Sequence, residues 1–229
     1  MYIIAEIGIN HNGNLETALK MIDAAKAAGA HCVKFQKRNP DKCVPEHQKN
    51  QPRIFLGEEM TYLEYKKRIE FNQFDYQCIS DHCQKIGIDW TVSVWDEDSV
   101  DFMKQFIDKI PFIKIPSALI TDLQLINKVN ELNVPIIISN GMSTFEEMVA
   151  PLKHFNNIEA ILHCNSSYPS SPHHLDINVI KTLKTVFPDI KIGYSGHEFG
   201  YFPTVVAAAA GAEIIERHFT LDKEMEGTD

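Results

Sequence analysis

Two histidines of this chain follow short apolar runs near its C-terminal end, His197 in Gly193-Tyr194-Ser195-Gly196-His197 and His218 in Glu216-Arg217-His218. If those runs are neighbouring parallel strands, both imidazoles point at one spot. Two histidines with open positions beside them suit a divalent transition metal that must also bind substrate and water. A lone histidine near a strand end is ordinarily structural, and it is the pairing on adjacent strands that favours ligation. Glu216 lies two residues before His218 and so on the same strand face, where it is expected to buttress the site. His11 is expected to reach the same mouth, whereas His47, His82, His154, His173 and His174 read as surface or loop residues.

Lys34 and Lys114 also close apolar runs. A lysine pointing into a barrel mouth is not an ordinary solvated charge, and an anion is its natural partner. Ser93, Ser139, Ser166 and Ser195 add hydroxyls from four other strands or their loops. Any one of these serines reads as a cap or turn residue, but two ammonium groups ringed by hydroxyls have the composition of a phosphate-plus-carboxylate pocket. Glu6, within Ala5-Glu6-Ile7-Gly8, sits in a run too apolar for an idle carboxylate. It has two readings: a structural partner for Lys34, or a functional group that serves either as a general acid/base or to orient a substrate hydroxyl or aldehyde.

The elements that must position these residues are legible as eight apolar runs starting near 3, 32, 88, 112, 135, 160, 190 and 213. Amphipathic patterns separate them. Leu15 to Gly29 carries apolar residues at helical spacing, with Asn14 as N-cap and Gly29 as stop, and similar stretches follow at 73–86, 97–107, 121–131, 144–155, 176–187 and 201–211. Continuous β-branched runs alternating with helices predict a parallel sheet buried on both faces, and eight βα steps predict an α/β fold of the (β/α)8 TIM-barrel type. A dinucleotide-binding open sheet would want G-x-G-x-x-G after its first strand, and Gly8-Ile9-Asn10-His11-Asn12-Gly13 lacks it. The long step from 32 to 88 contains a Pro- and charge-rich insertion, Lys37 to Phe71, which reads either as a solvated excursion or as a lid over the active-site face. Residues 1–229 are read as one barrel domain lacking its eighth helix.

Bulk properties limit the function classes. A net charge of −9 argues against nucleic-acid and anionic-membrane partners, though a local lysine cluster still accommodates a small anion. Cys32, Cys43, Cys78, Cys83 and Cys164 are odd in number and form no C-x-x-C pair, which disfavours a disulfide framework or a zinc ribbon. No apolar stretch approaches the ~20 residues that span a bilayer, and the N-terminus reads as a short strand rather than as a secretory signal. A reducing cytoplasm is the expected location.

Seven motifs, in order, carry a resemblance: Ala5 to Gly13, Lys34-Phe35-Gln36-Lys37, Lys114-Ile115-Pro116-Ser117, Gly141-Met142-Ser143, His163-Cys164-Asn165-Ser166-Ser167-Tyr168-Pro169, Gly193 to Glu198, and Glu216-Arg217-His218-Phe219-Thr220-Leu221-Asp222-Lys223. Together they resemble the sialic acid synthases of the N-acetylneuraminate synthase type, over the whole chain. The resemblance implies condensation of phosphoenolpyruvate with open-chain N-acetylmannosamine, or a related amino sugar, to a nine-carbon 2-keto acid with release of phosphate. It implies a divalent ion, Mn2+ or Mg2+, on His197 and His218. It places the donor pocket on Lys34, Ser93, Lys114, Ser117, Ser139, Ser166 and Ser195, and the sugar side on Glu6, Gln36, Tyr168 and Asp229. Homodimerisation is implied by the same resemblance.

Three departures stand out. Leu119 occupies a position where some relatives carry an acidic residue, and Gly196 one where others carry Asp. Residues 1–229 are read as not including the C-terminal antifreeze-like domain that the resemblance implies for the family. Sialic, legionaminic and pseudaminic acid synthases share this barrel, so the sugar stays open, as does its phosphorylation, for which Lys37, Arg38, Lys42 and Arg53 are candidate contacts. The alternatives are a deoxy-sugar-phosphate synthase using the same enol phosphate, and a catalytically incompetent fragment or sugar-binding module of the same fold.

Overall fold

The computed structural model describes residues 1–226. Eight parallel strands close on themselves: β1 (Tyr2–Gly8), β2 (Cys32–Lys37), β3 (Asp89–Val94), β4 (Ile113–Ile115), β5 (Ile136–Ser139), β6 (Ile158–Cys164), β7 (Lys191–Gly196) and β8 (Ile214–His218). Each starts within two residues of the position expected from the apolar runs. Closure comes from β1 pairing with β8, Tyr2 opposite Ile214 through to Glu6 opposite His218. The fold is the (β/α)8 barrel that the alternating pattern predicts.

Seven helices follow strands β1 to β7 among the described residues: α1 (Leu15–Ala27), α2 (Gln73–Ile86), α3 (Glu97–Met103), α4 (Leu123–Asn130), α5 (Phe145–Leu152), α6 (Val179–Val186) and α7 (Phe202–Ala209). Local chemistry sets their ends. The Asn14 side chain accepts from the Thr17 N–H and starts α1, as its position predicts. Reciprocal capping boxes, Asn72 with Asp75 and Thr144 with Glu147, start α2 and α5. The helix expected over 97–107 stops at Met103 and continues as a 3-10 segment, Lys104–Lys109. Helix faces and outward strand residues share one core, which includes Ile22, Phe35, Tyr76, Trp90, Val100, Ile126, Ile161 and Tyr194. Among the described residues no helix is long and apolar enough to cross a membrane.

The insertion after β2 is built rather than loose. Two short helices (Pro40–Cys43 and Glu46–Lys49) lead into a hairpin of Pro52–Phe55 and Glu58–Thr61, then a helix over Tyr62–Arg68. Phe55, Tyr65 and Ile69 pack with Ile9 of the first βα loop. Its basic residues are engaged nearby: Lys37 and Arg38 with Glu70, Lys42 with Asp98, and Arg53 over the Tyr65 ring. Past β8 the chain runs against β1 and the insertion: the Phe219 N–H donates to the Glu6 carbonyl and the Leu56 N–H at the hairpin tip donates to Glu226.

Candidate active site

The period of two along a strand decides which residues enter the barrel. At the C-terminal ends it turns inward Glu6 of β1, Lys34 and Gln36 of β2, Ser93 of β3, Lys114 of β4, Ser139 of β5, Cys164 of β6, Ser195 of β7, and Glu216 and His218 of β8. With Ser117, Ser166, Tyr168 and His197 from the following loops they line one cavity of about 150 Å3. Trp95, Pro116, Ala118 and Met142 complete its wall. The residues assigned from the sequence to the donor pocket, the sugar side and the metal pair, where they lie in the described region, are therefore brought to one place. Asp229 lies outside the described residues.

Charge in this cavity is paired. The Lys34 ammonium lies 2.5 Å from Glu6 and 3.9 Å from Glu216, and it donates to the Ser93 hydroxyl at 2.7 Å. Lys114 donates to both Glu216 oxygens, at 3.1 and 3.0 Å, and the Ser195 hydroxyl donates to the same carboxylate at 3.0 Å. Gln36 donates to Glu6 at 3.2 Å. Burial raises the pKa of Glu6, and Lys34 only partly offsets it. Burial also pushes Glu216 up, but Lys114, Lys34 and the Ser195 hydroxyl outweigh it and hold that carboxyl low, at about 2. Burial pulls the Lys114 ammonium down against the pull of Glu216. The two carboxylates thus differ in kind: Glu216 stays a fixed counter-charge, while Glu6 is the one disposed to hold a proton. The hydroxyl of Ser139 is buried with no hydrogen-bond partner among the described residues, so an acceptor or donor entering the cavity would satisfy it.

The histidines occupy the other side. The rings of His197 and His218 lie 5.2 Å apart, centroid to centroid. His197 Nδ1 contacts the Asn165 carbonyl at 2.6 Å, and because a carbonyl only accepts, the ring proton sits on Nδ1. Its Nε2 lone pair then faces the Tyr168 hydroxyl, 2.8 Å away. Burial lowers the His197 pKa to about 4, which keeps the imidazole neutral at physiological pH. Among the described residues no group of three or more His, Cys, Asp and Glu side chains surrounds a single point, so any metal reading rests on this pair.

One expectation is corrected. His11 does not reach the mouth: it is buried under the insertion, stacked on Phe71 at 3.9 Å, and its Nδ1 accepts from the Gly13 N–H. Glu216 faces inward on the same strand face as His218, as its spacing predicts, and pairs there with Lys114 and Ser195. Among the described residues none from 38 to 71 lines the cavity wall, and the insertion packs on Ile9 of the first βα loop. One requirement escaped the sequence reading. A side chain on Gly141 would run into the Ser166 hydroxyl and come within 2.9 Å of that of Ser117, which itself accepts from the Gly141 N–H at 3.0 Å. A glycine between two polar loop motifs was the available signal. A larger cavity of about 570 Å3 lies alongside, between α5 and α6, and contains neither lysine nor either histidine of the pair.

The chain is similar to known proteins. The N-acetylneuraminate-9-phosphate synthase of Drosophila melanogaster is 42% identical over all of this chain, which spans 62% of that protein. The Homo sapiens protein of the same name is 37% identical, again over the whole chain and 64% of its own length. The chain therefore spans somewhat under two thirds of these relatives. Among solved structures, the N-acetylneuraminic acid synthetase of Leptospira borgpetersenii serovar Hardjo-bovis, crystallised with citrate, superposes with a TM-score of 0.89 at 30% identity, covering 99% of this chain and 75% of that one. Residues 21–229 match the NeuB family, and the chain belongs to it.

Proposed function

We propose that the protein condenses phosphoenolpyruvate with an amino sugar in its open-chain form, giving a nine-carbon 2-keto sugar acid and inorganic phosphate. The observation that carries this reading is the convergence of Lys34 and Lys114 with the hydroxyls of Ser93, Ser117, Ser139, Ser166 and Ser195 in one cavity, beside the imidazoles of His197 and His218. Buried ammonium groups and hydroxyls bind the phosphate and carboxylate of the donor. Lys114 and Lys34 enter that contact by relaxing their pairing with Glu216 and Glu6.

The residues divide the remaining work. C3 of the enol phosphate bonds to the aldehyde carbon, whose oxygen becomes an alkoxide, while water adds at C2 and releases one proton to solvent. The tetrahedral adduct then loses phosphate by C–O cleavage as its C2 hydroxyl gives up its proton, leaving the ketone. Glu6, raised by burial, holds a proton at the aldehyde or a neighbouring hydroxyl and gives it up as the new alkoxide forms. Gln36, bonded to Glu6, and Tyr168, bonded to His197, face the sugar. The donor set of His197 and His218 fits a divalent cation: both rings face one cavity, and the Asn165 carbonyl fixes the tautomer of His197 whose Nε2 carries the lone pair, which now meets the Tyr168 hydroxyl and which a cation would take over. Such an ion would supply Lewis-acid polarisation of the aldehyde oxygen.

The test uses the full-length protein with manganese, phosphoenolpyruvate and N-acetylmannosamine or its 6-phosphate, measuring phosphate and 2-keto acid together. Stoichiometric formation of both supports the reading. Absence of both with either sugar, and with the diacetylated analogues that lead to legionaminic and pseudaminic acids, would sink it.

A further inference from the structure

The residues between the two candidate metal ligands form a second device on the opposite face of the same strands. Alternation sends Ser195 and His197 inward and Tyr194, Gly196 and Glu198 outward; on β8 it sends Glu216 and His218 inward and Arg217 outward. Arg217 pairs in register with Gly196, whose missing side chain leaves the guanidinium room to cross to Glu198. There Arg217 Nη1 donates to the Glu198 carboxylate and, at 2.7 Å, to the Thr204 hydroxyl of α7. Its Nη2 donates to the carbonyls of Glu198 and Gly200, at 2.6 and 3.0 Å. Glu198, whose side chain is fully buried, accepts in addition from the Tyr194 hydroxyl at 2.8 Å. Arg217 immediately precedes His218, and Glu198 immediately follows His197.

We propose that Arg217 and Glu198 are positioning residues, a clamp on the outer face of β7 and β8 that sets the spacing and orientation of His197 and His218. This rests on the reading of those histidines as metal ligands. A guanidinium that grips both a carboxylate and two carbonyls of the loop after His197 fixes that loop in two directions, which a point charge would not do. The clamp also accounts for Gly196. A Cβ there would lie 2.6 Å from the Glu198 carboxylate, 2.6 Å from the Tyr194 ring and 3.0 Å from Arg217 Nη1. Glycine at 196 and the Glu198–Arg217 pair therefore belong together, and Asp at that position is incompatible with the clamp as built.

Manganese binding by the full-length protein, followed by electron paramagnetic resonance of the free ion, tests this without reliance on turnover. The variants are Arg217→Lys, which keeps the charge and loses the fork, Glu198→Gln, which keeps the shape, and His218→Ala. Glu198→Met/Arg217→Met serves as a fourth that removes the pair without leaving a buried lone charge. Circular dichroism identifies the folded ones. Wild type is expected to bind and His218→Ala to lose binding, while the folded clamp variants weaken it about 10- to 100-fold, as removal of a ligand's supporting contacts does elsewhere. Clamp variants that bind within about twofold of wild type, when His218→Ala does not bind, overturn the clamp and leave the ligand reading standing. Wild type that fails to bind, or His218→Ala that binds as well, overturns the ligand reading and the clamp with it.

Discussion

The floor and the mouth of the barrel are made by the same strands and differ by one step of the strand period. Ile4, Cys32, Phe112, Ile137, Leu162 and Ile214 form a buried apolar layer at the floor. Two residues further along each strand stand Glu6, Lys34, Lys114, Ser139, Cys164 and Glu216, equally inward and nearly as buried. The backbone environment is shared, so the difference lies in what the side chains find opposite them. In the floor it is other apolar atoms, and in the mouth each charge meets an opposite charge or a hydroxyl. A layer of buried charge is tolerable only when every member has such a partner. The mouth is therefore poised: a ligand carrying the right charges can take over partners that the protein already supplies to itself.

Breaking one mouth partner should show the largest effect. Lys114→Met keeps the volume of the stem and removes the ammonium, leaving Glu216 with Ser195 at 3.0 Å and Lys34 at 3.9 Å. Turnover of the full-length protein is expected to fall by about 10²- to 10³-fold, the typical cost of losing one preorganised charge contact. Saturation with phosphoenolpyruvate should move to much higher concentration. Unchanged steady-state kinetics would remove Lys114 from the donor pocket.

The mirror experiment cuts the floor. Leu162 is fully buried there, with one methyl filling the space left open by Gly193. Leu162→Ala should cost about 2–5 kcal/mol of stability through lost burial and a residual cavity. The Michaelis constant for phosphoenolpyruvate should stay as it was, because Leu162 is not part of the mouth wall. Denaturant unfolding read beside steady-state kinetics separates the two layers; a floor variant with altered substrate affinity would show that the layers are not independent.

How much of this was readable beforehand follows from the range of the interactions. Strands announce themselves through local β-branched runs, and α1 through Asn14, so all eight strands and the first helix start were legible to within two residues. Lys34 and Lys114 were legible as inward cations because they end those runs. Glu6 was readable as a partner for Lys34 on the neighbouring strand, but the partner of Lys114 was not. Lys114 meets Glu216 across the barrel, 102 residues away in the chain, and only the closing register of β1 on β8 decides which strand ends face one another. The misplacement of His11 has a related cause. Spacing put it after β1, but the bulge between Glu6 and Gly8 and the apolar seat of the insertion turn it outward under Phe71. The clamp was present as Gly196, Glu198 and Arg217, yet reading it required knowing that all three lie on one outer face.

His11 sharpens the comparison furthest, because it stands at the mouth end and behaves like a floor residue. Burial lowers its pKa from 6.5 to about 3. The unfolded chain binds a proton there near pH 6.5 and the folded one does not, so this contribution to stability is present above that pH and is lost as pH falls towards about 3. His197, lowered to about 4, and His163, also lowered by burial, act with the same sign, whereas the raised Glu6 acts against them. A single substitution isolates the His11 share. Between about pH 7.5 and about pH 5 the His11→Phe protein should lose on the order of 2 kcal/mol less unfolding free energy than the parent, whatever its absolute stability. Parallel stability curves would mean that the imidazole takes up its proton in place, as a solvated mouth residue would. A flattened curve would show that proximity to the mouth counts for little beside the direction in which a side chain points.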